Sequence, residues 1–324
     1  MGFIPVSAGD QTYALDDPAR PPARRERTNR VSQITLVPNA PEQPLARAAR
    51  PPFFRRRSAI PGFGLTLGIT ITVLSVVVLI PLSAVAIKAA GLGWQGLFAA
   101  GFSPRALAAY RLSFGAALIA AGINGVFGLI TAWALVRYSF PGKALVNALV
   151  DLPFALPTAV AGISLAALYG PHGWIGGLLA PLGIKVAYTP LGVIVALTFI
   201  GLPFVVRTLE PVVRDLADDV EEAAASLGAS RLATLTRVVL PSLAPAWLTG
   251  FALAFARAVG EYGSVIFIAG NMPYRSEIAP LLIVVELEQF NYQEAAAIAL
   301  VMLVAAFLML FVINGVQAWS RRYS

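Results

Sequence analysis

The 324-residue chain has no cysteine and a single histidine, His172. The absence of cysteine excludes disulfides, thiol chemistry and thiolate metal sites. The histidine stands in "YGPHGW" without a Glu-x-x-His or His-x-x-x-His spacing, which is typical of a loop residue rather than a metal ligand. Charged residues are scarce too, at 13% of the chain. An enzyme that works through a thiolate or a histidine-bound metal is therefore not indicated.

Apolar residues dominate instead. They make up 57% of the chain, and the mean hydropathy is +0.74, far from the balance of soluble proteins. A helix needs about 20 apolar residues to cross a bilayer. Six runs predict transmembrane helices, at roughly 62–87, 113–136, 144–169, 190–209, 243–269 and 295–318. The short, acidic stretch 278–290 predicts a re-entrant or interfacial helix. The predicted fold is an all-α polytopic membrane protein.

The first 60 residues differ in composition from the rest. Residues 1–61 hold ten Arg and five acidic residues, are rich in Pro and lack apolar periodicity. This composition predicts a disordered basic tail over 1–60, followed by a membrane domain over 61–320. The run Arg55, Arg56 and Arg57 either contacts anionic lipid headgroups or acts as a topology signal, and the positive-inside rule favours the second.

The distribution of Lys and Arg among the connections predicts the orientation. With a cytoplasmic N terminus, eighteen basic residues lie in inner segments and five in outer ones; the five are Lys88, Arg105, Arg111, Lys185 and Arg275. The positive-inside rule therefore places both termini in the cytoplasm. The same count places the connection between the fourth and fifth spans in the cytoplasm.

That connection, residues 211–241, reads "PVVRDLADDVEEAAASLGASRLATLTRVVLP" and predicts two short helices with a bend. Asp218 and Asp219 suit a helix start, Gly228 a C-terminal break and Ser230 a cap of the next helix. Small residues and apolar side chains at Leu227, among others, indicate a docking surface for a cytoplasmic partner. An ordinary capped hairpin between two spans is the alternative that local physics leaves open.

The spacing within this connection resembles the "EAA" signature of ABC importer permeases, E-A-A-x3-G-x9-I-x-L-P. The matching residues are Glu222, Ala223, Ala224, Gly228, Leu240 and Pro241, with Val238 in place of the usual Ile. In that family the segment resembles a coupling helix that sits in a groove on a separate ATPase subunit. The resemblance implies that these residues couple the chain to the ATPase.

The chain has no phosphate-binding loop of its own. Its only Gly-Lys pair, Gly142 and Lys143, is followed by Ala144 rather than Ser or Thr, and Arg137 stands where the first Gly belongs. We therefore expect no cofactor on this chain, no enzymatic activity of its own, and ATP bound by the partner.

Residues 60–319 resemble sulfate/thiosulfate permease subunits of the CysT (CysU) type. The resemblance rests on "NGVFGLITAWALVRYSFPGK" (124–143), "DLPFALPTAVAGISLAALYG" (151–170), "GLPFVVRTLEPV" (201–212) and "RAVGEYGSVIFIAGN" (257–271). Molybdate permeases share the EAA segment and a turn like "GEYG", so a molybdate or tungstate importer is the alternative. The basic tail is not part of the family pattern.

This resemblance implies an ABC type I importer permease fold, of the MetI-like kind, in the bacterial cytoplasmic membrane. The implied partners are cytoplasmic ATPase subunits, a second permease, an extracytoplasmic sulfate-binding protein and membrane lipid, with no nucleic acid. Whether the second permease is another gene product or a second copy stays open, as does sulfate against thiosulfate.

Two rival classes are weaker. An integral-membrane enzyme would need nucleophile, base or metal residues that converge at one membrane face, and the spans offer one Arg-Glu pair. An ion-driven secondary transporter would leave the EAA segment unexplained.

Polar residues within the spans are costly in lipid and are functional candidates by default. Arg257 and Glu261 stand four apart on the predicted fifth span, where they either line a translocation path or form a structural ion pair. Asp151 suits a cap or hinge beside Pro153. Asn124 predicts a hydrogen bond between helices.

Overall fold

The computed structural model describes residues 63–216 and 218–320, and of residues 63, 218–221 and 318–320 it describes only the backbone. The predicted tail, residues 1–60, lies outside the described residues. All regular elements of the described part are helical, which confirms the predicted all-α class.

The helices follow one another in the order α1 (Phe63–Leu74), α2 (Ile80–Ala90), α3 (Gly93–Gly101), α4 (Pro104–Arg137), α5 (Lys143–Ala155), α6 (Thr158–Tyr169), α7 (Trp174–Leu179), α8 (Pro190–Asp215), α9 (Asp218–Ser226), α10 (Arg231–Thr234), α11 (Leu240–Val259), α12 (Val265–Ile268), α13 (Ala279–Glu288) and α14 (Tyr292–Ser320). A π-helical turn, Ser75–Leu79, joins α1 to α2, and another, Leu235–Val239, joins α10 to α11.

Five helical segments of the described chain are long and apolar enough to cross a membrane: Gly64–Ala90, Pro104–Arg137, Pro190–Asp215, Arg231–Val259 and Tyr292–Gln317. They agree with five of the six predicted spans, although the bounds differ. The predicted 243–269 span instead begins at Arg231, runs through the π-helical turn, and ends at Val259. Residues 261–269 form a turn and the short helix α12.

The prediction of one continuous third span over 144–169 is wrong. Helices α5 and α6 are bent by 118° relative to each other, so this region is a broken span or a re-entrant hairpin. The break lies at Leu156, which is extended at φ −88° and ψ 136°, and Pro157 follows it. A proline ring clashes with a helical residue before it and so disfavours the α region for that residue, here Leu156.

Each π-helical turn ends two residues before a proline. Pro81 follows the turn Ser75–Leu79 and Pro241 follows the turn Leu235–Val239. A proline has no N–H to donate and its ring presses on the carbonyl four residues earlier. The two carbonyls are those of Val77 and Arg237, and both residues lie in the π-helical turns. The wider π-turn makes room for the proline ring and accommodates the hydrogen bond that is lost. Each long helix therefore continues through its proline.

Helices α4, α8 and α11 form the centre of the membrane domain. Half of the most apolar stretch of α8 is buried, whereas none of the corresponding stretch of the first span is. Small residues allow the central helices to approach closely: a Cβ added at Gly128 on α4 would lie 2.8 Å from Val205 Cβ on α8. Trp247 Nε1 donates a hydrogen bond to the Gly125 carbonyl (2.9 Å) and ties α11 to α4.

Candidate functional site

The coupling segment forms the two short helices and the bend that its sequence predicts. Helix α9 ends at Ser226, and Gly228 follows in the left-handed region at φ 80°. The Gly228 N–H donates to the Ala225 carbonyl (2.9 Å), and the Ala229 N–H donates to the Ala224 carbonyl (3.0 Å). These two bonds define a Schellman motif, which satisfies the last carbonyls of the helix and needs a positive φ at one position.

The second helix starts at Ser230 and leads straight into the membrane. The Ala233 N–H donates to Ser230 Oγ (3.3 Å), which confirms Ser230 as the cap. Helix α10, the π-helical turn and α11 then form one segment of 29 residues, Arg231–Val259. At 1.5 Å per residue its length is about 44 Å. Leu240 and Pro241 lie inside this rod rather than at the start of a span.

The surface of the coupling segment is unusually apolar for a connection outside the membrane. Leu227 is 89% exposed and Leu232 is 70% exposed. Glu222, Ala223 and Gly228 are exposed as well, while Ala224 is half-buried. Exposed apolar patches rimmed by polar residues mark interaction sites. The residues Glu222 to Gly228 thus share one compact helix and turn, and the segment is open to a partner.

Arg257 and Glu261 form an ion pair between Arg257 Nη1 and Glu261 Oε2. The prediction that both lie on the fifth span is wrong in part, because α11 ends at Val259 and Glu261 lies in the following turn. The Ser264 N–H and Oγ each donate to Glu261 Oε1 at 3.0 Å. Glu261 is 3% exposed, and both oxygens of its carboxylate have partners that hold this turn together. A role in a translocation path stays a prediction.

Residues 124–322 match the family of the binding-protein-dependent transport system inner membrane component. The chain belongs to this family. Its relatives include the sulfate transport system permease protein CysT of Synechocystis sp., 49% identical over 79% of this chain and 90% of the relative. The protein of the same name from Escherichia coli is 48% identical over 81% of this chain and 95% of the relative. The resemblance to the CysT type is confirmed.

Solved structures support the permease fold. A bacterial alginate ABC transporter in complex with an alginate pentasaccharide-bound periplasmic protein superposes with a TM-score of 0.64 at 16% identity, over 78% of this chain and 92% of that chain. A second structure of a bacterial ABC transporter that imports alginate gives a TM-score of 0.63 at 18% identity, over 80% and 94% of the two chains. At such identities the similarity concerns the fold.

The permease holds an ion-pair network around Arg207 that its sequence did not reveal. Arg207 donates to Asp151 Oδ1 from Nε (2.8 Å) and to Asp151 Oδ2 from Nη2 (2.5 Å), and Nη1 donates to Glu210 Oε2 (2.5 Å). Asp151 therefore ties α5 to α8 through an ion pair, and its place inside α5 rules out the predicted cap, while the alternative of a hinge stays a prediction. Arg207 and Asp151 stand 56 residues apart in the sequence, and no local pattern links these two.

A second network lies at the opposite end of α4 and α8 from the coupling segment. Arg105 at the start of α4 donates to both carboxylate oxygens of Glu277, at 2.9 and 2.7 Å, and lies 3.8 Å from Glu286. Glu277 is buried at 4% exposure. Two guanidinium hydrogen bonds to one carboxylate fix both position and orientation. The pair thus holds the loop before α13 against α4 in the permease.

Asn124 does not make the predicted hydrogen bond between helices. Its side chain is fully buried in α4 and faces Gly201 on α8. Within the described part of the chain, neither its Oδ1 nor its Nδ2 has a hydrogen-bond partner. The absence of a side chain at Gly201 leaves room for the amide but provides nothing for it to bond. The permease therefore carries an unpaired polar group in its central helix packing.

Proposed function

We propose that this chain is the permease subunit of an ATP-binding-cassette importer that carries sulfate or thiosulfate across the cytoplasmic membrane. The observation that carries the proposal is its identity of 48–49% to sulfate transport permeases over nearly their whole length. The alignments span 256 and 262 residues, a length close to that of the whole predicted membrane domain.

The coupling segment is the part that receives work from the ATPase. The apolar side chains of Leu227 and Leu232 are exposed in this chain and gain from burial in a groove of a partner. The rod Arg231–Val259 starts in the same segment and crosses the membrane domain. Movement of the ATPase against α9 and α10 is therefore passed to the membrane helices without an intervening flexible loop. The helices then change between an inward-open and an outward-open arrangement.

In this assembly the chemistry of ATP belongs to the partner, and the permease supplies the path and the lever. The other partners are a second permease and an extracytoplasmic binding protein that delivers the anion, which agrees with a family defined as binding-protein-dependent. Both termini lie in the cytoplasm, as the count of basic residues favours. Arg257 and Glu261, next to the end of α11, are proposed to influence the path through the turn that they hold.

The test is ATP-dependent uptake of labelled sulfate into vesicles that carry the whole complex, with molybdate as competitor. Leu227→Asp places a charge on the coupling surface without removing a packed contact, because Leu227 is 89% exposed. Leu182→Asp, at a leucine 70% exposed in another connection, is the matched control. We expect uptake and co-purification of the ATPase to be lost in Leu227→Asp and retained in Leu182→Asp.

Two results would contradict the proposal. Normal uptake by Leu227→Asp, with the ATPase still bound, would remove the coupling role. Competition by molybdate at much lower concentration than unlabelled sulfate would assign the permease to the other oxyanion.

A further inference from the structure

A pocket of about 560 Å³ lies where the first turns of α4 and α8 meet the loop before α13. Its polar side chains are those of Arg111, Tyr274 and Arg275, and apolar residues such as Leu107 complete the wall. No acidic side chain lines it. The pocket is at the start of α8, whereas the coupling segment follows the end of α8, so the two lie at opposite ends of the membrane domain.

The loop that carries Tyr274 and Arg275 has a fixed shape. The Met272 carbonyl accepts hydrogen bonds from the N–H groups of Arg275 (3.1 Å), Ser276 (2.9 Å) and Glu277 (3.1 Å). The Met272 N–H donates in turn to Ser276 Oγ (3.0 Å). Tyr274 takes a positive φ of 62°, a conformation that costs energy for any residue with a Cβ. Such strain persists only where the surrounding structure imposes it, and it concentrates at functional sites.

The two acidic residues near the pocket already have partners in the protein. Glu277 accepts two hydrogen bonds from Arg105, and Glu286 accepts one from Asn291 and lies close to Arg105. Arg111 and Arg275 have no ion pair among residues 63–216 and 218–320. Arg111 lies in the second turn of α4 and is exposed. Two positive charges thus face one open pocket without a protein counter-ion.

We propose that Arg111 and Arg275, with Tyr274, form a receiving site for a doubly charged tetrahedral oxyanion on its way into the membrane domain. The inference rests on the proposed function, since it assigns the sulfate a place in this chain. Two guanidinium groups match the charge of the dianion and offer paired N–H donors to its oxygens. The donors are exposed, so the site is weak enough for the ion to leave again, as a conduit requires.

The first experiment measures the KM for sulfate uptake in vesicles with the whole complex. Loss of a hydrogen bond to a charged group is expected to raise KM by roughly tenfold for Arg111→Gln and for Arg275→Gln. Lys185→Gln removes one exposed positive charge that does not line the pocket and should leave KM within about twofold of wild type, since no contact to the ion is lost. An unchanged KM in the double Arg variant would overturn the proposal.

The second experiment does not depend on transport. The chain has no cysteine, so Leu107→Cys places a single thiol in the pocket wall, where the leucine is 48% exposed. Sulfate, but not chloride at equal ionic strength, should slow maleimide labelling of this thiol, and Arg111→Gln should abolish the protection. Phe102→Cys, at a residue 45% exposed that does not line the pocket, is the control and should show no protection.

The two experiments separate the possible failures. Protection without uptake would support the site and contradict the proposed function. Uptake without protection and without a change in KM would contradict the site alone. If labelling of Leu107→Cys responds to phosphatidylglycerol added to phosphatidylcholine vesicles, and not to sulfate, the pocket holds a lipid phosphate and the proposal is wrong.

Discussion

Replacement of Gly228 tests the coupling segment through its backbone. Gly228 adopts φ 80°, and a Cβ added there would meet no atom within 4 Å. Any penalty of Gly228→Ala is therefore conformational and not steric. The left-handed region costs a residue with a Cβ about 1–2 kcal/mol. Asn tolerates this region better than Ala, so Gly228→Asn should retain most of the motif.

A penalty of this size is large for the hairpin that α9 and α10 form in the coupling segment. Helix α9 has nine residues, which is below the roughly 12–15 that an isolated helix needs in water. The folded and frayed states of the hairpin are therefore close in free energy. A cost of about 1–2 kcal/mol reduces the ratio of folded to frayed hairpin by about 5–30-fold.

Hydrogen exchange and transport together form the assay. The amides of Gly228 and Ala229 are the donors of the Schellman motif, so Gly228→Ala should speed their exchange in the assembled complex and lower ATP-driven sulfate uptake. Gly142→Ala is the control, because Gly142 also has a positive φ, 84°, and open space around it, but lies outside the coupling segment.

The outcomes distinguish conformation from contact. Wild-type exchange and uptake in Gly228→Ala would refute the conformational account. Equal damage by Gly228→Ala and Gly228→Asn would show that the partner rejects any side chain here, whatever the backbone prefers.

Two further predictions concern the packing and charge of the membrane helices. Gly128→Ala should lower the free energy of unfolding by about 1–3 kcal/mol, because the new Cβ would lie 2.8 Å from Val205 Cβ. Gly122→Ala is the control and should leave that free energy unchanged, since a Cβ there would have nothing within 4 Å. Thermal unfolding in detergent measures both variants, and equal stability of the two would contradict the close packing at Gly128. Asp151→Asn should lower the free energy of unfolding by about 1 kcal/mol or less, because the Asp151 side chain is half exposed. Arg207→Gln should lower it further, because the carboxylates of Asp151 and Glu210 both lose their ion pair. The reverse order in the same assay would show that the ion pairs do not stabilise the fold.

Local signals explain why the coupling segment was predictable. Its acidic start, Gly228 and Ser230 act on backbone groups only a few residues away, so their meaning does not depend on the rest of the fold. The break at Leu156 has a local signal in Pro157, which disfavours a helical residue before it. Other helices of this chain continue through internal prolines, so the signal did not outweigh the apolar length in the prediction of a continuous span.

Contacts between distant segments were not predictable in this way. Arg207 and Asp151 stand 56 residues apart, and Arg105 and Glu277 stand 172 apart. Each charge taken alone was only an expensive residue in or near a span. The pairs form because α5 packs on α8 and the loop before α13 packs on α4, which is tertiary information. The pocket with Arg111 and Arg275 depends on the same packing and was missed for the same reason.

The continuity of Arg231–Val259 gives the proposed coupling mechanism its physical form. One end of this rod carries the exposed Leu232, and beyond the other end Glu261 bonds to Arg257 and Ser264. The backbone of Ser264 lies so close to Gly162 on α6 that no Cβ fits between them. A rod held at this turn moves as a lever, and its irregularities are the π-helical turn Leu235–Val239 and Pro245 inside α11. In the proposed function, bending at the π-helical turn would absorb part of the ATPase movement. The stiffness of Leu235–Val239 therefore sets how much of that movement reaches Ser264 and helix α6.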